Sequence, residues 1–248
     1  MMRIMLTVAY DGTAYHGWQV QAHEEKTIEG VLNSSLKELT GEDISVIGAS
    51  RTDAGVHALG NLCVFDSAST IPPERFVPAL NSILPPDIRI MKSEAVDSDF
   101  HPRHVNTRKT YRYGIYHGEI CPPMERLYRH HVYGPLDIGA MQEAAAYMMG
   151  EHDFAAFCAA GAQVDSTVRT VYDVHVETSE NGEHIDIYVT GNGFLYNMVR
   201  IMAGTLLEVS RGRIALSDIP KIIKSRDRSG AGPTLPACGL CLVGYDFC

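Results

Sequence analysis

The chain has 248 residues, 45% hydrophobic and 21% charged, with a net charge of −9, an ordinary globular composition able to bury a substantial core. No apolar run approaches the length of a membrane span, and MMRIMLTVAYDG enters a strand pattern directly, without the apolar core and cleavage site of a secretory signal; a cytoplasmic protein with no membrane partner is expected. The acidic balance is uneven, because residues 100–136 hold 6 Lys/Arg against 2 acids and residues 200–228 hold 7 against 3, so local field leaves nucleic acid open as a partner where net charge alone would argue against it.

In chain order, RIMLTVAYDG alternates and ends in a turn, so it reads as a strand. A helix follows from about Thr27, with Ile28, Val31, Leu32, Leu36 and Leu39 at helical spacing and Gly41 as its C′ residue. DISVIGAS and NLCVFDS read as strands on either side of ASRTDAGVHALG, which has no hydrophobic periodicity. A helix after Pro72-Pro73 uses Phe76, Ala79, Leu80 and Ile83 and stops at Pro85-Pro86, and DIRIMKSEAV returns as a strand.

The second half repeats this plan. TYRYGIYH is a strand, and Asp137 caps a helix closed by Gly150. Val168–Glu177 and His184–Thr190 form a hairpin turning at Asn181-Gly182. Phe194 to Val209 reads as a buried helix; a short helix capped by Ser217 precedes the final strand, from Gly239 to Phe247. The Ala/Gly-rich loop 157–165 is the expected mobile element. The fold class is α/β of the α+β kind. It is expected as two tandem ferredoxin-like β-α-β-β-α-β units, 1–106 and 107–248, forming a largely antiparallel continuous sheet with helices on one side.

Three stretches carry chemistry-bearing residues. In Ser50-Arg51-Thr52-Asp53-Ala54-Gly55, Arg51 and Asp53 leave an extended backbone on the same face. A neighbouring guanidinium favours an ionised carboxylate, fit to act as nucleophile or charge stabiliser. By spacing alone, a structural turn or salt bridge is the better reading. FHPRHVNTRKTYRYGIY interleaves aromatics with cations, which suits splayed nucleotides, since rings stack on bases and cations meet phosphates. It fits a strand with a tyrosine-lined core equally well. Arg200 lies in a mostly apolar helix, so it either has a partner, with Asp53 a candidate, or snorkels to the surface. Six scattered cysteines read as small buried hydrophobes, and Cys238-x-x-Cys241 has no second ligand pair nearby, so no metal is expected.

Together the stretches resemble the tRNA pseudouridine synthase A family. The matching elements are YDGTAYHGWQVQ, SRTDAGVHALGN, FHPRHVNTRKTYRYGIY, GEHDFAAF, GFLYNMVRIMAGTLLEVSRG and AGPTLPACGLCLVGYDF, collinear from end to end. The resemblance implies an isomerase that converts uridine to pseudouridine at positions 38, 39 and 40 of the tRNA anticodon stem-loop. It implies no metal or organic cofactor, and a homodimer with one tRNA touching both subunits. It assigns Asp53 as the catalytic aspartate and Tyr111 as the tyrosine against the target uracil. Arg200 becomes the aspartate's partner, Leu240 part of the site wall, and Arg51 the residue that helps the base leave its stack. Pro102, His104, Leu235 and Cys241 depart from the family pattern without touching that set. A catalytically silent RNA-binding protein on the same scaffold is the alternative.

Overall fold

The computed structural model describes residues 1–21, 26–161 and 164–248. Two positions of the expected mobile loop, 162 and 163, lie outside the described residues. The chain divides into two compact units. Residues Met1–Asn106 and Leu242–Phe247 make the first, and Thr107–Cys241 with Cys248 make the second. The boundary thus differs from a second unit running unbroken to residue 248, because the terminal strand packs most of its length with the first unit.

In the first unit, β1 (Met2–Tyr10) buries alternate residues Ile4, Leu6, Val8 and Tyr10, as a period of two requires. Helix α1 (Ile28–Thr40) is capped by Thr27, whose Oγ1 accepts from Gly30 N–H at 3.2 Å, and ends at Gly41 with φ 76°. Strand β2 is only Ile47–Gly48, shorter than the expected strand. Just before it, Val46 N–H bonds to Asn33 Oδ1 at 2.9 Å, so a helix side chain takes a donor that a longer strand would use. Strand β3 runs from His57 to Ser67 and starts earlier than expected, inside the aspartate-bearing stretch. A tight turn at Pro73–Arg75 leads to α2 (Phe76–Asn81), whose Phe76 meets Phe65 edge-on at 5.3 Å. Strand β4 (Ile88–Val96) completes the set. The order is β4-β1-β3, with β1 antiparallel to both neighbours, and β10 (Leu240–Phe247) beside β3. On the face where Met5, Leu62 and Val64 point, Ala49, Val96, Phe100 and Tyr245 close a small apolar cluster.

In the second unit, β5 (Thr107–His117) pairs antiparallel with β9 (His184–Gly191), β9 with β8 (Val168–Thr178), and β8 with β7 (Gly150–Asp153). The short β6 (His130–Val132) runs parallel to β5. Asp137 Oδ1 caps α3 (Ile138–Ala146) by accepting from Ala140 N–H at 2.9 Å. Gly150 does not close this helix. The helix tightens after Ala146 so that Met148 stays buried, and Gly150, at φ 107°, opens β7. Helix α4 begins at Met198 rather than Phe194 and runs to Ser210. Asn197 ahead of it has φ 59°, which a right-handed helix cannot pass through. Ser217 is not a cap. Residues Leu216–Asp218 form a tight turn that feeds α5 (Ile219–Ser225), with Pro220 in its first turn. No helix among the described residues is long and apolar enough to cross a membrane.

Candidate active site

The loop from Ala49 to Val56 joins β2 to β3 in the first unit, and its backbone is fixed from two directions. The segment 12–18 lies against one side. Trp18 N–H donates to Thr52 O at 2.9 Å, Gly55 N–H donates to Tyr15 O at 3.3 Å, and Gly12 N–H donates to His57 Nδ1 at 3.1 Å. Such backbone contact needs residues without side chains. A Cβ on Gly12 would collide with the Val56 carbonyl, lying 2.6 Å from its carbon. A Cβ on Gly17 would lie 2.6 Å from Thr52 O, and one on Gly48 would strike the Trp18 ring. Tyr15 is anchored in turn by donating to Asp87 Oδ1 at 2.7 Å; burial and that bond raise its phenol pKa, so it stays a neutral donor.

The second support is a buried hydrogen-bond network. Tyr10 and Thr52 share a bond of 2.8 Å between their hydroxyls. Asn61 Nδ2 donates to Ser50 O at 3.0 Å and to Tyr10 Oη at 3.2 Å. Its Oδ1 lies 2.8 Å from the Tyr245 hydroxyl, which is also 2.7 Å from Ser50 Oγ. Thr52 is thereby held inward, between an exposed Arg51 and a half-buried Asp53. Asp53 O accepts from Val56 N–H at 3.1 Å, and Gly55 takes φ 78° in the turn between them. Asn61 is 0% exposed, so Asn61→Leu strands several polar partners. It is expected to lower unfolding stability by about 1–3 kcal/mol in urea titrations, and Tyr245→Phe by less.

The second unit places Tyr111, Arg200 and Leu240 on one framework. Tyr111 lies on β5 opposite Val189, is buried, and meets Phe194 edge-on at 5.4 Å. Helix α4, which packs against β5, carries Arg200 in its first turn. Arg200 does not simply reach for solvent: its Nε–H donates to Leu235 O at 2.7 Å and an Nη1–H to Asn197 Oδ1 at 2.6 Å. Leu240, buried, starts β10 directly after Gly239, where a Cβ would lie 2.6 Å from the Tyr113 ring. Tyr113 donates its hydroxyl to Pro236 O at 2.8 Å, with its pKa raised by burial.

Many cations of the basic islands have structural partners. Arg129 makes a two-point pair with Asp186 at 2.9 and 3.0 Å, and Arg112 Nε is 3.6 Å from the same carboxylate. Arg108 lies over the Tyr172 ring at 4.6 Å. Arg211 and Arg213 share Glu208, Lys221 pairs with Asp218 and Arg226 with Asp153. Their counted charge therefore overstates what an anionic ligand would meet, although exposed pairs of this kind are weak and exchangeable. Among the described residues, no group of three His, Cys, Asp or Glu is placed to hold a metal ion.

Sequence reasoning missed Asn61, Tyr245 and Asn197.

A family model described as tRNA pseudouridine synthase matches residues 6–104 and 144–247. Among curated relatives, the chain is 48% identical over 243 residues to tRNA pseudouridine synthase A of Caldicellulosiruptor saccharolyticus, covering 98% of each chain. It is 49% identical to the protein of that name from Ruminiclostridium cellulolyticum, again over 98% of both. To that of Moorella thermoacetica it is 48% identical, over 98% of this chain and 99% of the relative.

Proposed function

The chain belongs to the tRNA pseudouridine synthase family, and we propose that it isomerises uridine to pseudouridine at positions 38, 39 and 40 of the anticodon stem-loop, with Asp53 as the catalytic carboxylate. The supporting observation is the Asp53 loop itself. A single half-buried carboxylate sits on a backbone that three glycines and a buried network hold in place.

The reaction breaks the N1–C1′ bond, turns the uracil and forms a C5–C1′ bond; C5 loses its proton and N1 gains one, so atoms are conserved and no redox partner is consumed. An ionised Asp53 acts at the sugar, either by attack on carbon or by taking the C2′ proton. Glycosidases need a second carboxyl group as acid for the departing oxygen; uracil leaves as a stabilised anion, so one carboxylate suffices. The target must first leave its stack, at a cost of roughly a few kcal/mol. We assign Tyr111 to the extruded base, Leu240 to the wall that excludes water, Arg200 to the charge of Asp53, and Arg51 to extrusion. The family resemblance supports these roles, and it also supports a cytoplasmic homodimer as the working form.

Carbodiimide mapping of an unmodified tRNA transcript after incubation with the protein tests this reading. Stops are expected at positions 38 to 40 wherever uridine stands there, and nowhere in the acceptor or T arms. Tight tRNA binding without any new stop would instead support the silent RNA-binding alternative. Light scattering is expected to give twice the 27.3 kDa chain mass; a monomer would overturn the dimer assignment.

A further inference from the structure

Asn197 is one of two non-glycine residues with positive φ among the described residues, the other being Arg226. Asparagine tolerates that region better than most residues, and it is also a favoured N-cap. At the start of α4, however, the Asn197 side chain makes no capping bond. Its Oδ1 accepts from Arg200 Nη1 at 2.6 Å instead. A left-handed backbone position that glycine would fill without strain is thus occupied by a residue whose polar group serves the guanidinium.

The other side of the guanidinium is held as firmly. Leu235 O accepts from Arg200 Nε, and Leu235 N–H returns a bond to Arg200 O at 3.4 Å. The Leu235 segment is itself fixed. Gly232 N–H donates to Thr205 Oγ1 at 2.9 Å, and Gly204 lets the Pro233 carbonyl press directly on α4. Tyr113 donates to Pro236 O at 2.8 Å, which ties the segment to the strand that carries Tyr111. Both acceptors on Arg200 named here are neutral carbonyl oxygens. These two bonds orient the planar fork without cancelling its charge.

We propose that Asn197 is a positioning residue for the isomerisation, setting the plane of the Arg200 guanidinium through Oδ1 and acting on the reaction only by way of Arg200; this rests on the reading of Arg200 given above.

The test is a double-mutant cycle on single-turnover pseudouridine formation at saturating tRNA. It uses wild type, Asn197→Gly, Arg200→Ala and the double variant. Glycine keeps the backbone conformation and removes only the acceptor. Asn197→Gly is expected to slow the reaction about 10-fold, a factor matching one oriented charge-assisted bond, with tRNA affinity and melting temperature unchanged. In the Arg200→Ala background the same substitution is expected to have no further effect. In nitrogen-15 spectra, rotation of the Arg200 Nη groups is expected to speed up in Asn197→Gly. An unchanged rate in Asn197→Gly, or losses that add in the double variant, would overturn the proposal. If Arg200→Ala itself turns over normally, the assignment of Arg200 fails first and the spectra show whether Asn197 still restrains it. Should Asn197→Gly fail to fold, Asn197→Asp decides: its carboxylate would pair with the guanidinium and compete with Asp53 for its charge, so a loss approaching that of Arg200→Ala is expected, and a rate within about 3-fold of wild type overturns the proposal.

Discussion

Asp53→Asn is expected to abolish pseudouridine formation, by at least ~10³-fold in turnover, while the protein folds normally and still binds tRNA. The asparagine is isosteric, and the loop's backbone bonds and buried network do not need the charge. Thr52 O, Gly55 N–H and Asp53 O carry its backbone bonds, and Thr52 and Ser50 carry its buried network. The substitution removes the charge and the nucleophilic or basic oxygen. Three measurements separate this from a folding defect: carbodiimide mapping of the product, filter binding of tRNA, and the melting temperature. Chromatography of the small-molecule fraction adds a fourth, because an isomerase releases no free uracil at any stage. Mass-silent conversion in wild type, none in Asp53→Asn and equal tRNA affinity is the expected pattern. Normal turnover by Asp53→Asn would remove the carboxylate from the mechanism, and release of uracil by the wild type would make the protein a glycosidase.

The second large effect is expected from a residue with no chemistry of its own. Gly12→Ala adds one methyl group at a position where the backbone needs no unusual φ. Its Cβ would nonetheless lie 2.6 Å from Val56 C and closer still to the Val56 oxygen. Neither atom belongs to a flexible side chain that can swing aside. Segment 12–18 and the Asp53 loop must separate, which loosens the Gly12 to His57 bond and weakens the Trp18 to Thr52 and Gly55 to Tyr15 bonds. Overpacking against backbone costs about 1–3 kcal/mol or more, and lost backbone bonds add to it. We expect Gly12→Ala to lower stability by about 3 kcal/mol and to reduce turnover at least 10-fold even at temperatures where it is folded. Gly41→Ala is the control: no heavy atom lies within 4 Å of a Cβ there, so its cost comes only from its φ of 76° and falls on the end of α1. If Gly12→Ala were as stable and active as wild type, the close packing of this segment would not be what holds Asp53.

Most of the element pattern was legible because it depends on neighbours in sequence. The period-two burial of β1, the Thr27 and Asp137 caps, Gly41 at its left-handed position and the turn at Gly182 all follow from local rules. The differences fall where a single residue's conformation or a tertiary bond overrode them. Asn33 took a donor beside β2, Asn197 delayed α4 by a turn, and Gly150 was used in a strand rather than at a helix end. Charge counted along the chain likewise cannot show that Arg112 and Arg129 both face Asp186.

By itself, then, the sequence determined the residue types of the site, the glycine-rich and aspartate-bearing elements that identify the family, and the alternation of strands and helices, because all of these are written in local spacing. Only the tertiary structure decided why the site holds its shape. The Gly12 approach to Val56, the Tyr245 hydroxyl beside Ser50 and the Leu235 carbonyl on Arg200 join residues 44, 195 and 35 positions apart. No periodicity encodes such contacts; they exist because close packing brings separate segments to the same few ångströms, where a single methyl group or hydroxyl changes which arrangement is stable.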